Sequence, residues 1–203
     1  MDERLTSVFD SEFQNKNIDA RIIGSLERIS QVFRSLLWKE GNRHKLSPIQ
    51  IQVLTFLLYH PRQLCKSVYL AQEFNLTKAT ISIVTETLLK KGFTSNEKDE
   101  KDKRSHFIQL TEKGREVAQE VSGFANLINA PLDRLSPKEK TALLSSLIRF
   151  IYQLNQEGLV SLQRMCFNCR FYVEKGRDKH YCQLMNKPLK VTEIRIDCPE
   201  HSK

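Results

Sequence analysis

Residues 70–114 read LAQEFNLTKATISIVTETLLKKGFTSNEKDEKDKRSHFIQLTEKG, and most of the architecture follows from them. A short helix ends near Phe74, and Asn75 sits at a turn before Leu76. Thr77 is placed to cap a helix running through Leu89, with Ile81, Val84 and Leu88 on one inward face. Lys90 and Lys91 suit its last turn, and Gly92 its C-cap. The next stretch is β: a short strand over Phe93–Asn96, a fully charged tip over Glu97–Arg104, and a returning strand over Ser105–Leu110. Thr111 then opens another helix. The pattern predicts a helix-turn-helix followed by a hairpin wing.

Upstream, Ser47 with Pro48 and Gln50 forms a capping-box start. The helix it opens carries Ile49, Val53, Leu54 and Leu57 on one face and stops at His60-Pro61. Farther upstream, Ile18, Ile22, Leu26, Ile29, Phe33, Leu36 and Leu37 recur at steps of three and four. That spacing predicts a long helix from about Asn17 to Lys39, ended by Gly41 and Asn42, with one apolar stripe. The stripe suits either core packing or a subunit interface. Downstream, Val117, Val121, Phe124, Ala125 and Ile128 mark a helix broken by Pro131. Ser136-Pro137-Lys138-Glu139 is a second capping box, and Gly158 marks the exit of its helix.

Composition narrows the function classes. The 203 residues are 40% hydrophobic and 28% charged, which suits one folded core with an appendage. Lys and Arg number 32 against 24 Asp and Glu, giving +8, a balance compatible with a polyanionic partner. The charged, acidic N-terminal stretch does not read as a signal peptide. No apolar run reaches the roughly 18–20 residues of a membrane helix, so a cytoplasmic protein without membrane contact is expected. There is no glycine-rich nucleotide loop and no convincing pairing of nucleophile and base, so an enzyme is not expected.

The polar end of the Thr77 helix carries Thr77, Lys78, Thr80, Ser82 and Thr85. Short hydroxyl side chains let a helix approach base edges in a major groove, and a lysine neutralises phosphate. Lys101, Asp102, Lys103 and Arg104 occupy the wing. An arginine on a thin hairpin fits a minor groove, and an adjacent carboxylate can orient it. Each feature alone also reads as ordinary solvated surface.

Together, LSPIQIQVLTFL, the Leu70–Phe93 segment and DKRSHFIQLTEKG resemble the MarR family of winged-helix transcription regulators. The wing Asp-x-Arg is Asp102-Lys103-Arg104, and the LT-x-x-G run is Leu110–Gly114. The resemblance spans roughly residues 15–156. It implies a homodimer built by terminal helices and recognition of a pseudo-palindromic double-stranded DNA operator. It also implies a regulator, in most members a repressor, relieved by a small molecule or a redox signal. Major-groove contact would fall to the Thr77–Thr85 face and minor-groove contact to Arg104, oriented by Asp102. One departure is the first wing strand: Phe93-Thr94-Ser95-Asn96 lacks the basic residue often found there. Phosphate contact then passes to Lys90, Lys91, Lys101 or Lys103.

The expected fold class is mainly α with a small β-hairpin wing. The expected divisions are an N-terminal dimerisation helix (1–45), a winged helix-turn-helix (46–112), C-terminal dimerisation helices (113–158) and a tail (159–203). The tail lies outside the family pattern. Four of the five cysteines fall there, as Cys166-x2-Cys169, twelve residues, Cys182, fifteen residues, Cys198. A Cys-x-x-Cys knuckle with two later cysteines can enclose one tetrahedral metal, and zinc is the first expectation. An iron–sulfur cluster is the alternative and would make the tail a redox sensor. Phe167, Phe171, Tyr172, Tyr181 and Leu184 are the expected local core, and His180 and His201 read as surface residues. Cys65, beside Lys66, is either an activated thiol or a packed small residue. A winged helix plus metal knuckle would also suit a protein-interaction or basal transcription module.

Overall fold

The computed structural model describes residues 7–100, 102, 105–160, 163–176 and 179–202. The chain separates into two compact units. One takes residues up to His60 with Thr87–Ser95 and Gln109–Asn126; the other takes Pro61–Glu86, Asn96–Ile108 and everything from Leu127 on.

The first unit begins with α1 (Ser11–Lys16), capped by the Asp10 carboxylate, and α2 (Ile18–His44), capped by Asn17, which accepts from the Ala20 N–H. The expected stop at Gly41 does not occur. α2 runs on to His44 and ends at Lys45, which adopts a left-handed conformation. Gly41 lies inside the last turn, where the chain leaving α2 folds back on it: the Leu46 N–H donates to the Gly41 carbonyl, and a Cβ on Gly41 would sit 2.3 Å from the Leu46 carbonyl oxygen. The Lys91 ammonium donates to the Lys45 carbonyl, completing the C-cap.

The Ser47–Gln50 capping box is present and opens α3 (Pro48–Tyr59). Ile51, Val53, Leu54, Phe56 and Leu57 are all buried, so α3 is the central helix of this unit, packed by α2 and by α6 (Glu112–Ser122). Thr111 caps α6 by accepting from the Gly114 N–H, and its hydroxyl donates to the Gly92 carbonyl at 2.7 Å. Gly114 packs on backbone: a Cβ there would lie 1.7 Å from the Phe93 carbonyl oxygen. The Leu-Thr-x-x-Gly run is therefore a cap followed by a close approach.

α6 gives way at Gly123 to 3-10 turns over Gly123–Ile128. Pro131 is not the breaker expected. It lies within the short α7 (Asn129–Asp133), in the first turn, where no N–H is required of it.

In the second unit, α4 (Ser67–Glu73) turns through Asn75, in the left-handed region at φ 51°, into α5 (Lys78–Lys90), which continues past the unit boundary. The wing strands β1 (Thr94–Lys98) and β2 (His106–Leu110) form a two-stranded sheet. β1 extends two residues into the stretch expected to be tip, because Glu97 finds a partner in Arg62. The Ile108 N–H donates to the Cys65 carbonyl, tying β2 to the segment before α4.

α8 (Pro137–Gln156) starts at the expected Ser136–Glu139 capping box. The tail forms a three-stranded antiparallel sheet, β3 (Tyr172–Glu174), β4 (His180–Cys182) and β5 (Lys187–Leu189), in that order. Its register sets Tyr172 opposite Cys182 and Cys182 opposite Lys187. The tail core is Ile148, Met165, Cys166, Leu189 and Ile194, with Phe167 and Tyr172 packed against it. Ile148 comes from α8, so the tail does not supply its own core as its aromatic residues suggested. Leu184 is exposed. No helix among the described residues is long and apolar enough to cross a membrane.

Candidate nucleic-acid interface and cysteine cavity

α5 presents two faces. Ile81, Val84 and Leu88 are buried, as the spacing requires. Thr77, Lys78, Thr80 and Ser82 are exposed, and Thr85 is half-buried. Thr77 caps the helix: its hydroxyl oxygen accepts from the Thr80 N–H at 3.1 Å and lies 2.8 Å from the Thr80 hydroxyl. The Ser82 hydroxyl donates to the Lys78 carbonyl and the Thr85 hydroxyl to the Ser82 carbonyl. Both hydroxyls thus keep their oxygens available as acceptors. Ile83, 66% exposed, stands on the same outward face. It escaped the sequence reading, which looked for polar contacts. The signal was its step out of phase with Ile81, Val84 and Leu88.

The wing is fixed from beneath. Lys66 bonds the buried Asp99, and Lys66 and Arg62 lie 4.4 and 4.3 Å from the Phe107 ring centre. At the turn, the Ser105 N–H donates to the Asp102 carbonyl and the Asp99 N–H to the Ser105 carbonyl. Asp102 is exposed. Lys101, Lys103 and Arg104 lie outside the described residues. Lys91 is engaged with the Lys45 carbonyl, a structural role the sequence reading did not foresee.

Cys65 is buried and its thiol donates weakly to the Pro61 carbonyl. Burial pushes its pKa up to about 11. The neighbouring Lys66 is turned to Asp99, so the activation considered for this thiol gives way to packing.

The four tail cysteines line one cavity of about 30 Å³, with Arg195 and Met185 among its walls. Cys166 and Arg195 are tied twice: the Cys166 N–H donates to the Arg195 carbonyl, and the Arg195 N–H donates to Cys166 Sγ at 3.2 Å. The Arg195 guanidinium reaches Cys198 Sγ at 3.4 Å, and this bond is the main cause of its raised pKa. Burial holds the Cys166 thiol above its ordinary value, with the Arg195 N–H acting the other way. All four are free thiols, and among the described residues no three His, Cys, Asp or Glu side chains stand as a ready coordination set. His180 is buried rather than at the surface, its ring nitrogen 2.6 Å from the Tyr172 hydroxyl. His201 bonds Asn168.

Arg164 is the second residue the sequence did not announce. Its side chain is 6% exposed and donates to Asp197 Oδ1 at 2.6 Å and Glu73 Oε2 at 2.7 Å, with Tyr69 at 3.3 Å. Burial opposes its charge, but Asp197, Glu73 and Tyr69 outweigh burial and raise its pKa.

Comparison with known proteins bears on this geometry. Residues 36–121 match the family model described as transcriptional regulator SarA/Rot. The HTH-type transcriptional repressor YetL of Bacillus subtilis is 29% identical over 135 residues, covering 64% of this chain and 81% of that protein. The S. aureus MepR–DNA complex aligns with a TM-score of 0.58 at 20% identity, over 64% of this chain and 95% of MepR. Sco3205 of Streptomyces coelicolor, a MarR family transcriptional regulator solved with DNA, aligns with a TM-score of 0.56 at 23% identity, over 68% of this chain and 88% of that one. The fold is a mainly helical, MarR-like winged helix with a hairpin wing and a small C-terminal three-stranded sheet. The family model and the YetL relative are both of transcriptional regulators, and the solved structures share the winged-helix fold.

Proposed function

We propose that the protein is a dimeric, sequence-specific DNA-binding repressor. The observation that carries this reading is α5. Its buried stripe leaves an exposed N-terminal end of hydroxyls, one lysine and Ile83, on a fold shared with regulators solved on DNA. Thr77, Lys78, Thr80, Ser82 and Thr85 face the major groove, where Ile83 suits a thymine methyl group. Lys101, Lys103 and Arg104 of the wing meet the flanking backbone and minor groove, with Asp102 orienting Arg104.

A second copy of the chain is the occupant of the α2 stripe. Ile18, Ile22, Ile29, Val32 and Phe33 are between 39% and 72% exposed, too much apolar surface in one line to leave wet. Two copies related by a two-fold axis would read a pseudo-palindromic operator. In this reading the tail cysteines carry a structural zinc. An iron–sulfur cluster on the same four cysteines is the alternative.

Gel shift on the DNA upstream of the protein's own gene tests the reading. Salt-sensitive, sequence-preferring binding is expected. Binding indifferent to sequence, or none, refutes it.

A further inference from the structure

We infer that the outer face of the tail sheet is a second contact with double-stranded DNA, made to phosphates without regard to sequence. The inference rests on the DNA-binding reading and adds a surface outside the winged helix.

The register fixes which side chains share a face. His180 pairs with Glu174 on one side and Leu189 on the other, and His180 and Leu189 are buried, so this row faces the tail core. Side chains alternate across a sheet, so the rows on either side of it look outward. One is Val173, Tyr181 and Pro188. The other lies one step beyond the strands: the Lys175 N–H donates to the Lys179 carbonyl at 2.8 Å, and Lys190 continues β5 in an extended conformation. Lys175, Lys179 and Lys190 thus end the three strands side by side, and all three are exposed. The Lys175 ammonium lies 3.9 Å from the Tyr181 ring centre, which puts the two outward rows on one face.

Neighbouring strands stand about 4.8 Å apart, so the three lysines span about 10 Å. Like charges opposite one another across strands destabilise a sheet. Glu193, close by, accepts from the Lys187 ammonium and the Lys190 N–H. From Arg170 to Lys190 there are six Lys or Arg against two Asp or Glu, which is half of the chain's net charge of +8. A row of cations at fixed spacing is relieved by a row of anions, and duplex DNA carries one negative charge per roughly 1.7 Å of its axis. Tyr181 is covered by Lys175 rather than open to a stacking base, which favours backbone contact over capture of single strands.

The tail is also mounted where DNA would arrive. The Arg164 guanidinium donates to Asp197 in the tail and to Glu73 and Tyr69 of α4. α4, α5 as far as Glu86 and the tail sheet belong to one compact unit. The first helix of a helix-turn-helix crosses the DNA backbone. A basic sheet clamped to that helix is brought to the duplex with α5.

The test compares the full-length chain with its triple variant Lys175→Gln, Lys179→Gln, Lys190→Gln. Binding is followed by fluorescence anisotropy over a range of salt on three probes: the DNA upstream of the protein's own gene, a shuffled duplex of equal length, and a thymine homopolymer single strand. Loss of three phosphate contacts should lower the salt slope by about 2 to 3 per chain on both duplexes and weaken binding to both about tenfold or more at roughly 100 mM salt. An unchanged slope, or a loss confined to the single strand, overturns the inference. If the upstream DNA is still preferred over the shuffled duplex while the slope is unmoved, the operator reading stands and the tail contact falls. Lysine-dependent binding without sequence preference does the reverse. A wild-type chain that binds neither duplex refutes both. Acetylation of the wild-type lysines, mapped by mass spectrometry with and without the shuffled duplex, gives a second readout. DNA should slow the reaction of Lys175, Lys179 and Lys190, and equal rates overturn the contact whether or not the variant folds.

Discussion

The exposed face of α5 and the cysteine cavity are built in opposite ways. On α5 one helix supplies every group, the side chains point outward, and the scaffold beneath is three buried aliphatic residues. At the cavity no stretch supplies more than two of the cysteines, the sulfurs point inward, and a residue from α8 completes the surrounding core. A surface built on one helix can be altered residue by residue with little loss of stability. An interior shared by several segments cannot.

The largest effect should come from the shared interior. Ile148→Ala removes the α8 contribution to the tail core and should cost about 3–4 kcal/mol in urea unfolding. A loss under about 1 kcal/mol would mean that the tail folds without α8. Gly114→Ala comes next. Alanine normally favours a helix, but here its methyl meets the Phe93 carbonyl, and a loss of about 3 kcal/mol is expected. A stabilised variant would contradict the close approach of cap and wing.

Cys65 belongs with the interior despite lying beside a lysine. With its pKa raised from 9.0 to about 11, its thiolate fraction at pH 8 should fall about a hundredfold, and alkylation with it. The sign also sets a pH window. The unfolded chain ionises this thiol near pH 9 and the folded one only near 11, so its contribution is full below 9 and fades between them. Alkylation of Cys65 as fast as in denatured protein would reject the packed environment. The smallest stability effect should come from the outer face. Lys78→Ala should change stability by less than about 0.5 kcal/mol while reducing the salt slope of DNA binding by about 1. An unchanged slope would remove Lys78 from the phosphate contacts.

The same contrast explains what was legible in the sequence. Caps declare themselves locally, and Ser47, Thr77, Thr111 and Ser136 all cap as their spacing indicates. Helix faces follow from period, so Ile81, Val84 and Leu88 fell inward as expected. Gly41 misled because a glycine that ends a helix and one that lets the departing chain fold back on the last turn look alike in one dimension. Pro131 misled for a related reason: a proline tolerated in a first turn reads as a break. The cysteines of the tail were visible by type and spacing. Arg164 was not, since nothing around it in the sequence points to Glu73, 91 residues away, and Arg195, though only three residues from Cys198, carries no pattern that announces the bond.

The uncovered line of α2 has a consequence for dosage. In the proposed dimer, far below the concentration at which half the chains pair, the paired form grows as the square of the total chain concentration. A twofold change in synthesis would then change the operator-competent species about fourfold. Repression would switch over a narrower range of expression than a monomer of the same affinity allows, with no additional ligand. The exposed isoleucines and the phenylalanine that make the isolated chain look unfinished would set that threshold.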